Sequence, residues 1–234
     1  MKRIGLHILW LVLLLSGCSK GDFSPNYDMN AGENNGNQYD ISHDGPVLAT
    51  GTFRIREGEK TVRIDAFTLA WILNPSAVSD IPDSSRMIFE YTSRSAALLP
   101  DFCTEAIHVL WASPIEEGTV SQTAVQAPGG DPMAIETDWL TSLEDGFLTI
   151  HYSVYASGSV LHTFTLAPGK QAGEYFLLHD AHGDQGGDLT DGLICFPVST
   201  LLPQTDGETV TLTLDYLNLQ HTRTRLTVDY RSPA

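Results

Sequence analysis

From Val47 onward, apolar side chains fall at about every second position over most of the chain. Phe53 and Ile55 alternate with polar neighbours, as do Val62, Ile64 and Ala66. Successive side chains of a strand point to opposite faces, so this period predicts half-buried strands. More continuous runs follow at Phe67–Leu73, Met87–Thr92 and Ala106–Trp111. They are rich in β-branched and aromatic residues and bounded by Gly, Pro and Asp, which predicts further strands. About five strands in about seventy residues suit a small barrel or Greek-key sheet.

A break at Ser121–Pro132, ending in Pro128-Gly129-Gly130-Asp131-Pro132, predicts a linker or long turn. Beyond it the alternation sharpens. Leu148, Ile150, Tyr152 and Val154 share one face of a strand, and Thr149, His151 and Ser153 the other. Val160, His162, Phe164 and Leu166 read as its return strand, with a turn at Ala156–Ser159 making the pair a hairpin. Strands at Tyr175–His179 and Gly192–Val198 follow, then a closing pair at Thr209–Tyr216 and Arg223–Tyr230. In the first of that pair Val210, Leu212, Leu214 and Tyr216 alternate with polar residues, the mark of an antiparallel sheet with one buried face, and six strands with turn signals at short intervals predict a β-sandwich. Helical periodicity is weak, and Pro197–Leu202 suits a single short turn.

The N-terminal stretch is of another kind. Lys2 and Arg3 precede an apolar run, Ile8–Leu15, and the tetrapeptide Leu15-Ser16-Gly17-Cys18 closes it. The run is shorter than the ~20 residues a spanning helix needs. A basic start, a short apolar core and small residues at the cut site read as an exported lipoprotein signal, 1–17, removed before Cys18. The new N-terminal cysteine would carry acyl chains such as palmitate, and more than one chain gives stable anchoring. An ordinary secretory signal, with an incidental cysteine, is the alternative. Ser24–Gly45 is Asn-, Gly- and Asp-rich, so residues 18–46 are expected to form the lipidated cysteine and a flexible tether. Only Asp22 adds acidity close behind the cysteine, which leaves the periplasmic face of the outer membrane and the cell surface both open.

Charge narrows the set of partners. Lys and Arg number 13 against 29 Asp and Glu, a net −16 that moves nearer −18 once Lys2 and Arg3 are removed. Residues 50–115 hold six basic and eight acidic side chains; residues 133–234 hold four and thirteen. Such a surface repels phosphate backbones, which excludes nucleic acid as a partner. Arg54, Arg56, Lys60 and Arg63 form a modest basic cluster that reads as the solvated face of a hairpin. Cys103 and Cys195 lie in apolar, strand-like runs and are expected to be buried free thiols; no CxxC spacing occurs.

The one dense group of ligand-type side chains is His179–Gly192. Asp180, Asp184, Asp188 and Asp191, threaded with glycines, are candidates for a structural calcium ion, which takes about six to eight oxygens. Their spacing departs from an EF-hand loop. A zinc site on His179 and His182 would need a third ligand from elsewhere. The other reading is a connecting loop in which Asp caps backbone amides and Gly supplies positive φ. From Cys18 onward no G-x-S-x-G elbow occurs, and Glu116-Glu117 and Glu144-Asp145 fall at expected strand ends, so no catalytic residue is assigned.

The C-terminal half also carries Asp145-Gly146-Phe147-Leu148-Thr149-Ile150, Leu161–Leu166, Phe176-Leu177-Leu178-His179-Asp180-Ala181-His182-Gly183-Asp184, Gly192–Phe196 and Leu226–Tyr230. In this order they resemble the NigD-like lipoproteins of Bacteroides and related bacteria. Two features depart from that pattern: the sparse acidity after Cys18, and Arg56-Glu57-Gly58-Glu59-Lys60 in place of an Asp-Asp-Gly turn. The resemblance implies an all-β chain: an OB-like barrel over 47–120, a linker over 121–132 and a β-sandwich over 133–234. It implies no catalytic residues. The expected role is a non-enzymatic, lipid-anchored binding or assembly module whose partner is an envelope protein or glycan. The alternatives are an envelope hydrolase acting on glycan or peptide, and a calcium-stabilised adhesin-like module.

Overall fold

The computed structural model describes residues 45–127, 129–184, 186–202 and 209–230. The expected signal, Cys18 and the tether up to residue 44 lie outside the described residues. Five strands build the first lobe: β1 (Val47–Arg56), β2 (Glu59–Arg63), β3 (Leu69–Ile72), β4 (Arg86–Arg94) and β5 (Glu105–Pro114). They close into a barrel in the order β1-β2-β3-β5-β4, shut by β1 against β4, with β3 and β5 parallel. That is the order of an OB barrel. Glu57 and Gly58 both take positive φ, 52° and 88°, between the paired Arg56 and Glu59. Arg56-Glu57-Gly58-Glu59-Lys60 therefore makes a tight two-residue hairpin. Phe53, Val62, Ile72, Phe89 and Ile107 fill the barrel, and Val78 and Ile81, on and just after a 3₁₀ turn at Pro75–Val78, join them.

The second lobe comprises β6 (Glu116–Glu117), β7 (Thr119–Val120), β8 (Ala134–Glu136), β9 (Ser142–Glu144), β10 (Phe147–Ala156), β11 (Thr163–Pro168), β12 (Glu174–Asp180), β13 (Asp188–Pro197), β14 (Val210–Leu217) and β15 (Arg223–Tyr230). One sheet runs β6-β13-β10-β8, with β9 also on β10; the other runs β15-β14-β12-β11-β7. Ile150, Val154, Leu166, Leu177, Phe196 and Leu214 pack between them, on the faces the alternation assigns to the core. On the outer face of the second sheet, the fully buried Asp215 carboxylate accepts bonds from Arg223 and Arg225.

The expected hairpin does not form. β10 pairs with β13, β8 and β9, whereas β11 pairs with β12 and β7 in the opposite sheet. Residues 157–162 arch across the sandwich edge. Alternation fixes which face of each strand is buried; the two buried faces here meet across the core instead of side by side. Nor are the sheets wholly antiparallel, since β12–β14, β11–β7 and β13–β6 run parallel.

Two further placements differ from the expected segments. Glu116-Glu117 and Thr119-Val120, at the end of the expected barrel segment, pair with β13 and β11 of the sandwich. The stretch expected as a linker is also tied to it: Ser121 N–H donates to Leu166 O, Val125 N–H to Pro168 O and Asp131 N–H to His179 O.

The barrel and the sandwich belong to one unit, residues 41–234. Arg86 on β4 is completely buried at their junction. Its Nε donates to Thr149 Oγ1 (3.3 Å) and Nη1 to Thr52 Oγ1 (3.3 Å), while Nη2 reaches Thr50 Oγ1 (3.2 Å) and Glu144 Oε2 (2.9 Å). Ile115, Phe147 and Cys195 form an apolar cluster with Ile88 and Leu193 at its border. At the rim, Arg54 pairs with Asp145 at 2.8 Å. The barrel thus covers one end of the outer face of the first sheet.

Candidate functional site

The remainder of that outer face is open. Along β10, His151, Ser153 and Tyr155 follow Thr149 with the strand period of two. Register places Glu136 of β8 and Leu193 of β13 beside His151, Asp191 beside Ser153, and Leu189 beside Tyr155. Glu136, Thr137, Asp138, His151 and Asp191 line a shallow hollow of about 460 Å³. Trp139 (55% exposed) stands in the turn after Asp138; Tyr155 (47%) and Leu189 (50%) lie farther along the sheet.

The turn after β8 fixes the dyad in the hollow. Asp138 Oδ1 accepts Leu140 N–H, and Thr141 Oγ1 donates to Glu136 O while accepting His151 N–H. Asp138 Oδ2 then meets His151 Nδ1 at 2.8 Å. Ser153 Oγ lies 2.7 Å from Asp191 Oδ1 and 3.1 Å from Glu136 Oε1. A hydroxyl has one proton, so it satisfies one of these carboxylates at a time.

This set has the residue types of a nucleophilic triad without its connections. A serine nucleophile needs its hydroxyl on the histidine, and Ser153 instead turns to the two carboxylates. Glycoside cleavage needs the scissile bond between two carboxyl groups. Between Glu136 and Asp191 stands Ser153 Oγ. The carboxylates of the hollow can accept hydrogen bonds or pair with cations, and the exposed rings nearby offer flat apolar contact.

The four candidate calcium ligands do not converge. β13 begins at Asp188, so what reads as one Asp- and Gly-rich loop is partly strand. Asp180 ends β12 and accepts His182 N–H at 2.8 Å. Asp184 is buried and takes the Ser157 N–H and hydroxyl. Asp188 pairs with Ala156, and Asp191 sits in the hollow. Among the described residues, no group of three or more His, Cys, Asp or Glu side chains is placed to hold a metal ion. His179 and His182 have separate partners, the former His162 and the latter Thr163.

The other residues singled out by the sequence have structural places. Arg54 bonds Asp145, Arg56 lies over the Phe102 ring at 4.6 Å, and Lys60 Nζ donates to Pro75 O. Cys103 and Cys195 are free and buried. Burial pushes both thiols up, that of Cys195 to about 12. Glu136, Asp138 and His151 were not legible as a group. His151 and Ser153 on the polar face of β10 were the available signal, but their neighbours depend on strand register.

A NigD-like C-terminal beta sandwich domain matches residues 115–230. Among solved structures, a candidate toxin-related protein from Parabacteroides distasonis is 20% identical, with 80% of this chain and 94% of that one covered and a TM-score of 0.66. A NigD-like immunity protein from Bacteroides caccae is 16% identical over 81% of this chain and 97% of its own, with a TM-score of 0.54. A candidate lipoprotein from Bacteroides fragilis is 12% identical over 81% and 100%, with a TM-score of 0.57. At these identities the likeness is one of fold. No curated protein matches the chain.

Proposed function

Because residues 115–230 belong to the family of NigD-like C-terminal β-sandwich domains, we propose that the chain is a lipid-anchored envelope protein that binds a partner and catalyses no reaction. The observation that carries this reading is the hollow on the first sheet. The buried Ser153 beside it turns to carboxylates, and its acidic lining and nearby aromatics suit recognition of a glycan or of a protein segment. Anchoring would come from acylated Cys18, with residues 18–46 as the tether. The candidate-lipoprotein description of one structural neighbour accords with that anchor.

The test uses the mature full chain. Glycan arrays and peptide arrays of varied charge are expected to give hits that Glu136→Gln combined with Asp191→Asn removes. Incubation with peptidoglycan, polysaccharides and peptides is expected to release no product. Turnover that disappears in Ser153→Ala or Asp138→Asn would instead establish a hydrolase. For the anchor, Cys18→Ala is expected to move the chain from the membrane fraction to the soluble fraction and to abolish labelling by an alkyne fatty acid.

A further inference from the structure

Away from the hollow, two imidazoles and a carboxylate form a buried row where the 157–162 arch meets the end of β12. His179 Nδ1 lies 3.2 Å from Pro132 O, and His179 Nε2 lies 3.0 Å from His162 Nδ1. His162 Nε2 then faces Asp184 Oδ2 at 3.7 Å, with side-chain exposures of 7% and 6%. That Nε2 is buried with no hydrogen-bond partner among the described residues. Asp184 is held by the Ser157 N–H (3.0 Å) and hydroxyl (2.9 Å), which tie it to the start of the same arch.

Counting protons decides what this row needs. Pro132 O only accepts, the His179–His162 contact takes one proton between two nitrogens, and a carboxylate only accepts. Three contacts thus call for three ring protons, and two neutral imidazoles supply two. With both rings neutral, some contact must set lone pair against lone pair inside the protein, which is costly for a buried polar group. A second added proton would place N–H against N–H between the rings. The row is satisfied with one added proton, held on His162 and directed at Asp184.

We propose that His162, His179 and Asp184 form a one-proton latch that fastens the 157–162 arch to the 181–184 loop when protonated and loosens it when the proton leaves. The surroundings agree. Burial, and next the charge of His162, lower His179 and keep it the neutral acceptor. Burial alone would raise Asp184, but the Ser157 bonds and His162 outweigh it and hold the carboxyl below its usual range. Asp131, in the loop before β8, accepts Ala181 N–H at 2.7 Å and adds negative charge near His179. Asp180 and His182 lie 3.5 Å apart in exposed positions on the adjoining turn. From the first sheet, Tyr152 packs on Phe164, which stacks on His179; burial pushes the Tyr152 hydroxyl up to about 12, so it stays neutral.

The test is histidine ¹⁵N spectroscopy on the mature full chain, with amide hydrogen exchange corrected for intrinsic rates, between about pH 8 and about pH 5.5. The expected result is uptake of one proton by His162 while His179 Nε2 stays unprotonated, with slower exchange at Ser157 and residues 181–184 as the pH falls. In Asp184→Asn the amide can donate to a neutral His162 and still accept from Ser157. Its protection of the same amides is therefore expected to stay constant over that range. Proton uptake on His179, no uptake by either ring, or wild-type protection independent of pH would each overturn the latch. The spectroscopic arm needs no variant, so it stands even if Asp184→Asn folds poorly.

Discussion

Arg86 brings a charge into the lobe junction where the one acid it meets, Glu144, is partly exposed. Thr50, Thr52 and Thr149 supply the rest of its shell, so truncation strands three hydroxyls as well as removing the ion pair. Arg86→Ala is expected to cost about 3 kcal/mol in urea denaturation. Asp215 is the converse, a buried acid between two bases. The Arg225 hydrogen bonds, offset by burial and reinforced by Arg223, hold its carboxyl below the usual range. A depressed folded-state value means that the stabilisation is complete above the unfolded value near ~3.9 and is lost as pH falls through the folded one. Melting temperature should therefore fall below about pH 4, and Asp215→Asn should flatten that acid limb while lowering stability at neutral pH. Cys195 is fully buried with its thiol pushed up to about 12, so thiol reagents should label neither it nor Cys103 until denaturant is added.

At the scale of elements, periodicity gave faces and register gave neighbours. Leu212, Leu214 and Tyr216 point inward as the alternation requires, and β14 pairs with β15 as expected. The β10–β11 hairpin failed because a short Ser- and Gly-bearing segment can turn within a sheet or arch between two, and local sequence does not distinguish them. The calcium reading depended on a loop long enough to fold back on itself, but β13 takes Asp188 and Asp191 into extended backbone. The hollow is not legible in the sequence for a related reason: Glu136 reaches Ser153 only through β8–β10 pairing, across a sequence gap that no motif spans. Gly130 shows how closely such contacts are set. It bridges His179 at φ +89°, and a Cβ there would collide with the His179 carbonyl oxygen. Gly130→Ala should cost more than about 2 kcal/mol and speed amide exchange at the end of β12, because left-handed backbone alone costs an L residue about 1–2 kcal/mol.

For the molecule as a whole, the junction around Arg86, Ile115, Phe147 and Cys195 makes the barrel and sandwich energetically dependent on each other. Calorimetry of the mature chain should show a single transition, and Arg86→Ala should broaden it or split it in two. The connection between the lobes adds a constraint of another sort. In five residues, Glu116-Glu117 lies along β13, Gly118 closes on the Phe196 ring, and Thr119-Val120 lies along β11. One short run of chain leaving the barrel thereby shields an outer strand of each sheet. Excision at residue 133 would bare two strand edges at once, an invitation to edge-to-edge aggregation, whereas a fragment starting at 115 would keep both shielded.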